Sequence, residues 1–152
     1  MNDRYLFRGK RKDRQGWIEG DLVHTRTTTQ GVVTEIYTLD MSYEVDPETV
    51  GQCTGLKDKN GKLIFEGDVV RTQPFSDKPY SSKAKYKQHI GVVEYRVRRF
   101  KNSLYEQYYK AEWIVNIKDY GKFTCYDWSE FFKCKVIGNI HDNSLEDFRS
   151  ER

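Results

Sequence analysis

Apolar residues in this chain come in short runs broken by polar turns, the pattern of a protein built from strands. Tyr5 to Arg8 is a candidate first strand, followed by the polar turn Asp13-Arg14-Gln15-Gly16 and the apolar pair Trp17-Ile18. Glu19-Gly20-Asp21 interrupts the run, Leu22-Val23 resumes it, and Val32 to Leu39 returns as a strand. A glycine inside a strand marks a bulge or bend, because it tolerates positive φ. Asp58-Lys59-Asn60-Gly61 predicts a tight hairpin, since Asn-Gly suits left-handed turn positions. Lys62 to Arg71 then reads as a strand bent at Gly67. Val92 to Phe100, Trp113 to Ile117, Phe123 to Tyr126 and Lys135 to Ile140 read as further strands.

Helical signals are few. Asp46-Pro47-Glu48-Thr49 has a capping residue, a proline at the first helical position and an acid in the first turn. Gly51 and Gly55 limit it to about one turn. Ser129 to Phe132 predicts one more turn, and Leu145 to Arg149 is too short for a stable helix.

One pattern occurs twice. Lys12-Asp13-Arg14-Gln15-Gly16 precedes Glu19-Gly20-Asp21-Leu22-Val23, and Lys57-Asp58-Lys59-Asn60-Gly61 precedes Glu66-Gly67-Asp68-Val69-Val70. Gly31-Val32-Val33 follows the first copy and Gly91-Val92-Val93 the second. Thr49-Val50-Gly51-Gln52 and Val136-Ile137-Gly138-Asn139 close them alike. Repetition at this period points to duplicated supersecondary structure. The fold class expected is mainly β with minor helix: small, strongly bent β-barrel units of SH3-like type, as a duplicated pair. Residues 1–54 would form an N-terminal β unit and 55–152 a barrel domain with a long inserted loop, 72–90. The stretches 17–37 and 64–95 are expected to superpose.

The length, 152 residues, suits one ordinary domain or two small ones. Aromatic content of 14% argues against disorder. A net charge of +3 is too small to announce nucleic-acid binding by itself. Cys53, Cys125 and Cys134 lack disulfide spacing and read as reduced, mostly buried thiols. With no signal-peptide or membrane-spanning run, a bacterial host's cytoplasm is the expected location.

The stretch Thr49 to Lys62, continuing through Phe65 to Val70, resembles the YopX family of phage and prophage proteins. Phe7-Arg8-Gly9-Lys10-Arg11, Trp17-Ile18-Glu19-Gly20 and Val136 to Asn143 carry the same likeness. Cys53 stands where the family has an aromatic, Asp21 differs, and Ser144 replaces a common proline. The resemblance implies an SH3-type barrel and a phage origin. It brings no catalytic residue to this chain.

Candidate chemistry is sparse. Glu19 with Asp21, and Glu66 with Asp68, are paired carboxylates, but a doubled pair reads better as solvating or pinning a bulge than as acid–base machinery. His24, His89 and His141 lie apart, with no zinc-ligand spacing to the cysteines. No phosphate loop, nucleophile elbow or calcium loop is present, so no enzyme, cofactor or metal is expected. The best signal is a basic, aromatic stretch from Lys78 to Lys101. Its candidate binding residues are Lys83, Lys85, Tyr86, Lys87, Arg96, Arg98 and Arg99, with Tyr80, Tyr95 and Phe100 interleaved. The expectation is a protein-binding or self-assembling module, with single-strand or RNA binding through residues 78–101 as the alternative.

Overall fold

A computed structural model describes residues 3–76, 80–101, 107–117, 124–127, 133–144 and 147–148. The strands are β1 (Phe7–Lys10), β2 (Trp17–Thr27), β3 (Gly31–Tyr37), β4 (Ser42–Glu44), β5 (Gly51–Lys57) and β6 (Leu63–Phe65). They continue with β7 (Asp68–Arg71), β8 (Ile90–Lys101), β9 (Gln107–Ile117), β10 (Thr124–Asp127) and β11 (Lys135–Asn139). The fold is mainly β. The expected turn at 129–132 lies outside the described residues. Among the described residues no helix is long and apolar enough to cross a membrane.

Two antiparallel sheets form, ordered β4-β3-β2-β1-β5-β6 and β10-β9-β8-β7-β11. Each ends in two different edge strands, so neither closes into the expected barrel. Closure needs the outermost strands to pair with one another, a long-range match that alternating patterning does not encode. The chain divides into unit 1, residues 1–56 and 63–66, and unit 2, residues 57–62 and 67–152.

Unit 1 packs on Ile36, Val45, Cys53, Ile64 and Phe65, all buried. The Arg8 guanidinium lies 4.8 Å from the Trp17 ring centroid and 4.4 Å from that of Phe65, a cation–π arrangement that lets a cation sit inside the unit. Asp46 caps a single 3-10 turn at Pro47–Thr49, its carboxylate accepting from the Glu48 amide at 3.1 Å. Local capping chemistry sufficed to foresee that turn. Unit 2 packs on Val69, Val70, Val93, Ile114, Val115, Ile117 and Cys134.

The two copies of the repeat share the aspartate bond and the closing glycine of their turns, although Arg14 in the first is left-handed at φ +62 and its counterpart Lys59 is not. The Asp13 carboxylate accepts from the Gln15 amide at 3.1 Å, and that of Asp58 from the Asn60 amide at 2.8 Å. Gly16 and Gly61 follow at φ +92 and +81. Asn60 itself is not left-handed, so the second turn is an ordinary turn closed by a single left-handed glycine.

They differ at Glu-Gly-Asp. β2 runs unbroken through Gly20, pairing with β1 as far as Phe7↔Gly20 and with β3 from Asp21↔Tyr37 onward. In the second copy Glu66-Gly67 is a turn that separates β6 from β7, with Gly67 at φ +81. Both glycines therefore mark the point where the chain changes pairing partner. The return strands differ in register. In the first copy Val23 faces Glu35, whereas its counterpart Val70 faces Gly91. The first pairing is a long hairpin, Thr27↔Gly31 to Asp21↔Tyr37. The second holds only from Val69 to Arg71, so 17–37 and 64–95 are not equivalent in pairing.

Candidate functional site

β8 and β9 make the longest ladder in unit 2, from Val92↔Asn116 to Lys101↔Gln107. Their other neighbours stop early. β7 pairs with β8 only at Ile90 to Val92, and β10 with β9 only at Ile114 to Ile117. Residues 95–101 and 107–113 thus pair only with each other among the described residues. They form a two-stranded arm roughly 20 Å long at the usual rise per residue.

Strand alternation gives the arm two unlike faces. One carries Glu94, Arg96, Arg98 and Phe100 against Ile114, Glu112, Lys110 and Tyr108. Arg98 and Lys110 are directly opposed like charges, an arrangement that destabilises a ladder. The buried Glu112 carboxylate resolves this by pairing with both. The Lys110 hydrogen bond holds the Glu112 carboxyl below its ordinary value. Burial opposes this and Arg98 reinforces it. Glu94 accepts from Arg96 and from Asn116, each at 2.9 Å. Phe100 and Tyr108 stack with centroids 5.3 Å apart. The charged groups of this face are paired with one another, and its stacked Tyr108 is 51% exposed.

The other face carries Tyr95, Val97, Arg99 and Lys101 against Trp113, Ala111, Tyr109 and Gln107. Tyr95 is 51% exposed, Val97 59% and Tyr109 69%. Tyr95 meets Trp113 edge-on at 5.1 Å, which fixes its ring. A row of exposed aromatic and β-branched side chains on a two-stranded ribbon is the kind of patch that marks an interaction surface.

The sequence-predicted residues are therefore divided rather than gathered. Lys83, Lys85, Tyr86 and Lys87 are exposed in the segment between β7 and β8. There Lys87 and Phe75 exchange backbone hydrogen bonds of 3.1 and 3.2 Å. Tyr80 is fully exposed. Arg96 and Arg98 lie on the ion-paired face and Arg99 on the aromatic one. Lys78 lies outside the described residues. Sequence reading missed Tyr108, Tyr109, Lys110 and Ala111 because it began the strand at Trp113. The alternation Tyr109, Ala111, Trp113, Val115 was the signal that would have extended it.

Outside the arm, the carboxylate of Asp58 is shared among three backbone amides. It is buried and accepts backbone amides from Asn60 at 2.8 Å, Lys62 at 3.0 Å and Val136 at 2.9 Å. Burial pushes its carboxyl up, but the three amides outweigh that and hold it below its ordinary value. Its role is structural, tying the turn to β11. Asp68 is also buried and accepts from Asn139 at 3.3 Å. Burial pushes the Cys53 thiol up, away from a reactive thiolate. Among the described residues no group of three or more His, Cys, Asp and Glu side chains is placed to hold a metal ion.

The family described as "YopX protein" matches residues 6–146, a span that includes both repeat copies and the arm. No curated protein matches the chain.

Proposed function

The chain belongs to the YopX family, and from that premise we propose that it is a non-enzymatic binding protein whose arm meets a protein partner, copies of itself included. A phage or prophage setting in the cytoplasm of a bacterial host belongs to the same reading. So does descent of the two units from one SH3-like hairpin module, supported by the shared Asp-turn and the glycine at each change of pairing. The observation that carries the binding role is the aromatic face of the arm, where Tyr95, Val97 and Tyr109 stand exposed on a ribbon with no third strand beside it among the described residues. Rigid tyrosines contribute contact area at low entropic cost, which suits them to anchor an interface.

Retention of partners on immobilised protein tests the reading. After nuclease treatment, wild-type protein should retain specific polypeptides that a Tyr95→Ser/Tyr109→Ser variant loses. Equal retention by both would contradict it.

Nucleic-acid binding stands second, favoured by the exposed Lys83, Lys85 and Lys87 beside Tyr80 and Tyr86. The carboxylates already paired with Arg96 and Arg98 weigh against it. A Lys83→Ser/Lys85→Ser/Lys87→Ser variant should melt as wild type does, since exposed charges contribute little. On this second reading it should also lose retention on single-stranded DNA at low salt, with a shallower salt dependence.

A further inference from the structure

The two units carry opposite charge. Unit 1 holds seven Lys and Arg against ten Asp and Glu, a net of −3, and unit 2 holds nineteen against thirteen, a net of +6. Unit 1 also contains an open, largely apolar cavity of about 360 Å³, lined by Leu6, Tyr37 and Leu39 and by the acidic residues Glu19, Asp21 and Asp40. Gly20 has no side chain where the Tyr37 carbonyl passes close to it. Beyond Tyr37 the chain turns through Thr38 to Met41, closed by a 2.9 Å bond from the Thr38 amide to the Met41 carbonyl. The three acids are exposed and make no ion pair among the described residues, and Leu39 is wholly exposed.

The aromatic face of the arm is the chemical complement of this cavity. It offers Arg99 and Lys101 as cations and Tyr95 and Tyr109 as aromatics, all exposed. Arg99 makes no ion pair among the described residues, unlike Arg96 and Arg98 on the other face. A guanidinium recognises a carboxylate through two parallel hydrogen bonds, and the cavity is of a size that takes one or two large side chains.

We infer that the chain assembles head to tail: the aromatic face of one copy's arm docks into the acidic cavity in unit 1 of a second copy, with Arg99 and Tyr109 as the inserted pair. This deepens the protein-binding reading and rests on it. The contact joins two different surfaces, so it is heterologous and each copy keeps one arm and one cavity free for further copies. Part of its strength is charge attraction, which salt screens.

Two complementary variants test it. Arg99→Ser/Tyr109→Ser disables the arm and leaves the cavity; Asp21→Ser/Asp40→Ser disables the cavity and leaves the arm. Wild-type protein should scatter light above its 18.1 kDa monomer mass at high concentration, with the excess reduced by salt. Each variant alone should stay at 18.1 kDa. Mixed one to one, they should form a species of about 36 kDa, twice the 18.1 kDa chain, and nothing larger, because one good arm meets one good cavity. Should either double variant lower the melting temperature, the exposed single changes Arg99→Ser and Asp40→Ser serve the same mixing test. A wild type that stays monomeric, variants that assemble like wild type, or a mixture that remains monomeric would each overturn the inference. If wild type is monomeric yet retains other polypeptides through Tyr95 and Tyr109, only the head-to-tail inference falls and the protein-binding reading stands.

Discussion

Asp13 and Asp58 occupy the same place in the two copies of the repeat, and they do different work. Each accepts the amide two residues on and precedes a left-handed glycine. Asp13 is exposed, and its remaining partner is the neighbouring Arg11. Asp58 is buried and also grips Lys62 and Val136. The same contrast separates the glycines. Gly67 needs its residue type for a φ of +81. Gly20 lies in a regular strand and needs it because a Cβ would overlap the Tyr37 carbonyl oxygen. One motif thus serves as a local turn code in both places, while what surrounds it decides how much stability rests on each residue. In unit 1 the β2–β3 hairpin runs past β1 and β4 only over His24↔Thr34 to Thr27↔Gly31, whereas in unit 2 the return strand runs on past β7 and pairs with β9 to make the longer arm.

Substitutions can break this comparison. The largest effect should come at Gly20. Gly20→Ala must move the β3 backbone, a cost of about 3–5 kcal/mol, at the severe end for single changes, and Gly20→Asn should be no better. Asp58→Ala should follow at about 2–3 kcal/mol, because three amides lose a charged acceptor, whereas Asp13→Ala should leave the melting temperature nearly unchanged. Gly67→Ala should cost about 1–2 kcal/mol from the left-handed backbone. Gly67→Asn should recover part of it, since asparagine tolerates that conformation, and this rescue at 67 but not at 20 separates strain from overlap. Glu112→Gln should cost about 1 kcal/mol, from an ion network whose cations are partly exposed, and only Asp13→Ala should cost less. Thermal melting measures all of them.

Acid sharpens the Asp58 contrast. Its folded carboxyl titrates below the ordinary value of 3.8, so its contribution is complete above that value and is lost as pH falls through the lower folded value. The melting difference between wild type and Asp58→Asn should be steady at neutral pH and shrink below about pH 3.8. A difference that grew on acidification would contradict the assignment.

What the sequence made legible was local. The mainly β character, the turns at Asp13 and Asp58, and the capped turn at Asp46 follow from residues within a few positions of one another. Gly20 was legible as special, but not for the right reason, because its constraint comes from a carbonyl on another strand. The open sheets, the shifted register of the return strand and the splitting of Arg96, Arg98 and Arg99 between two faces all depend on strand pairing. Composition and charge runs carry no register, so the basic stretch read as one surface when it is three.

The two faces of the arm decide the functional account. A photo-crosslinking phenylalanine analogue placed at Tyr109, on the aromatic face, or at Tyr108, on the stacked and ion-paired face, probes each directly under identical conditions. The account predicts a discrete protein adduct from position 109 and little or none from position 108. Equal adducts from both positions, or none from position 109, would contradict the claim that the aromatic face is where this protein binds.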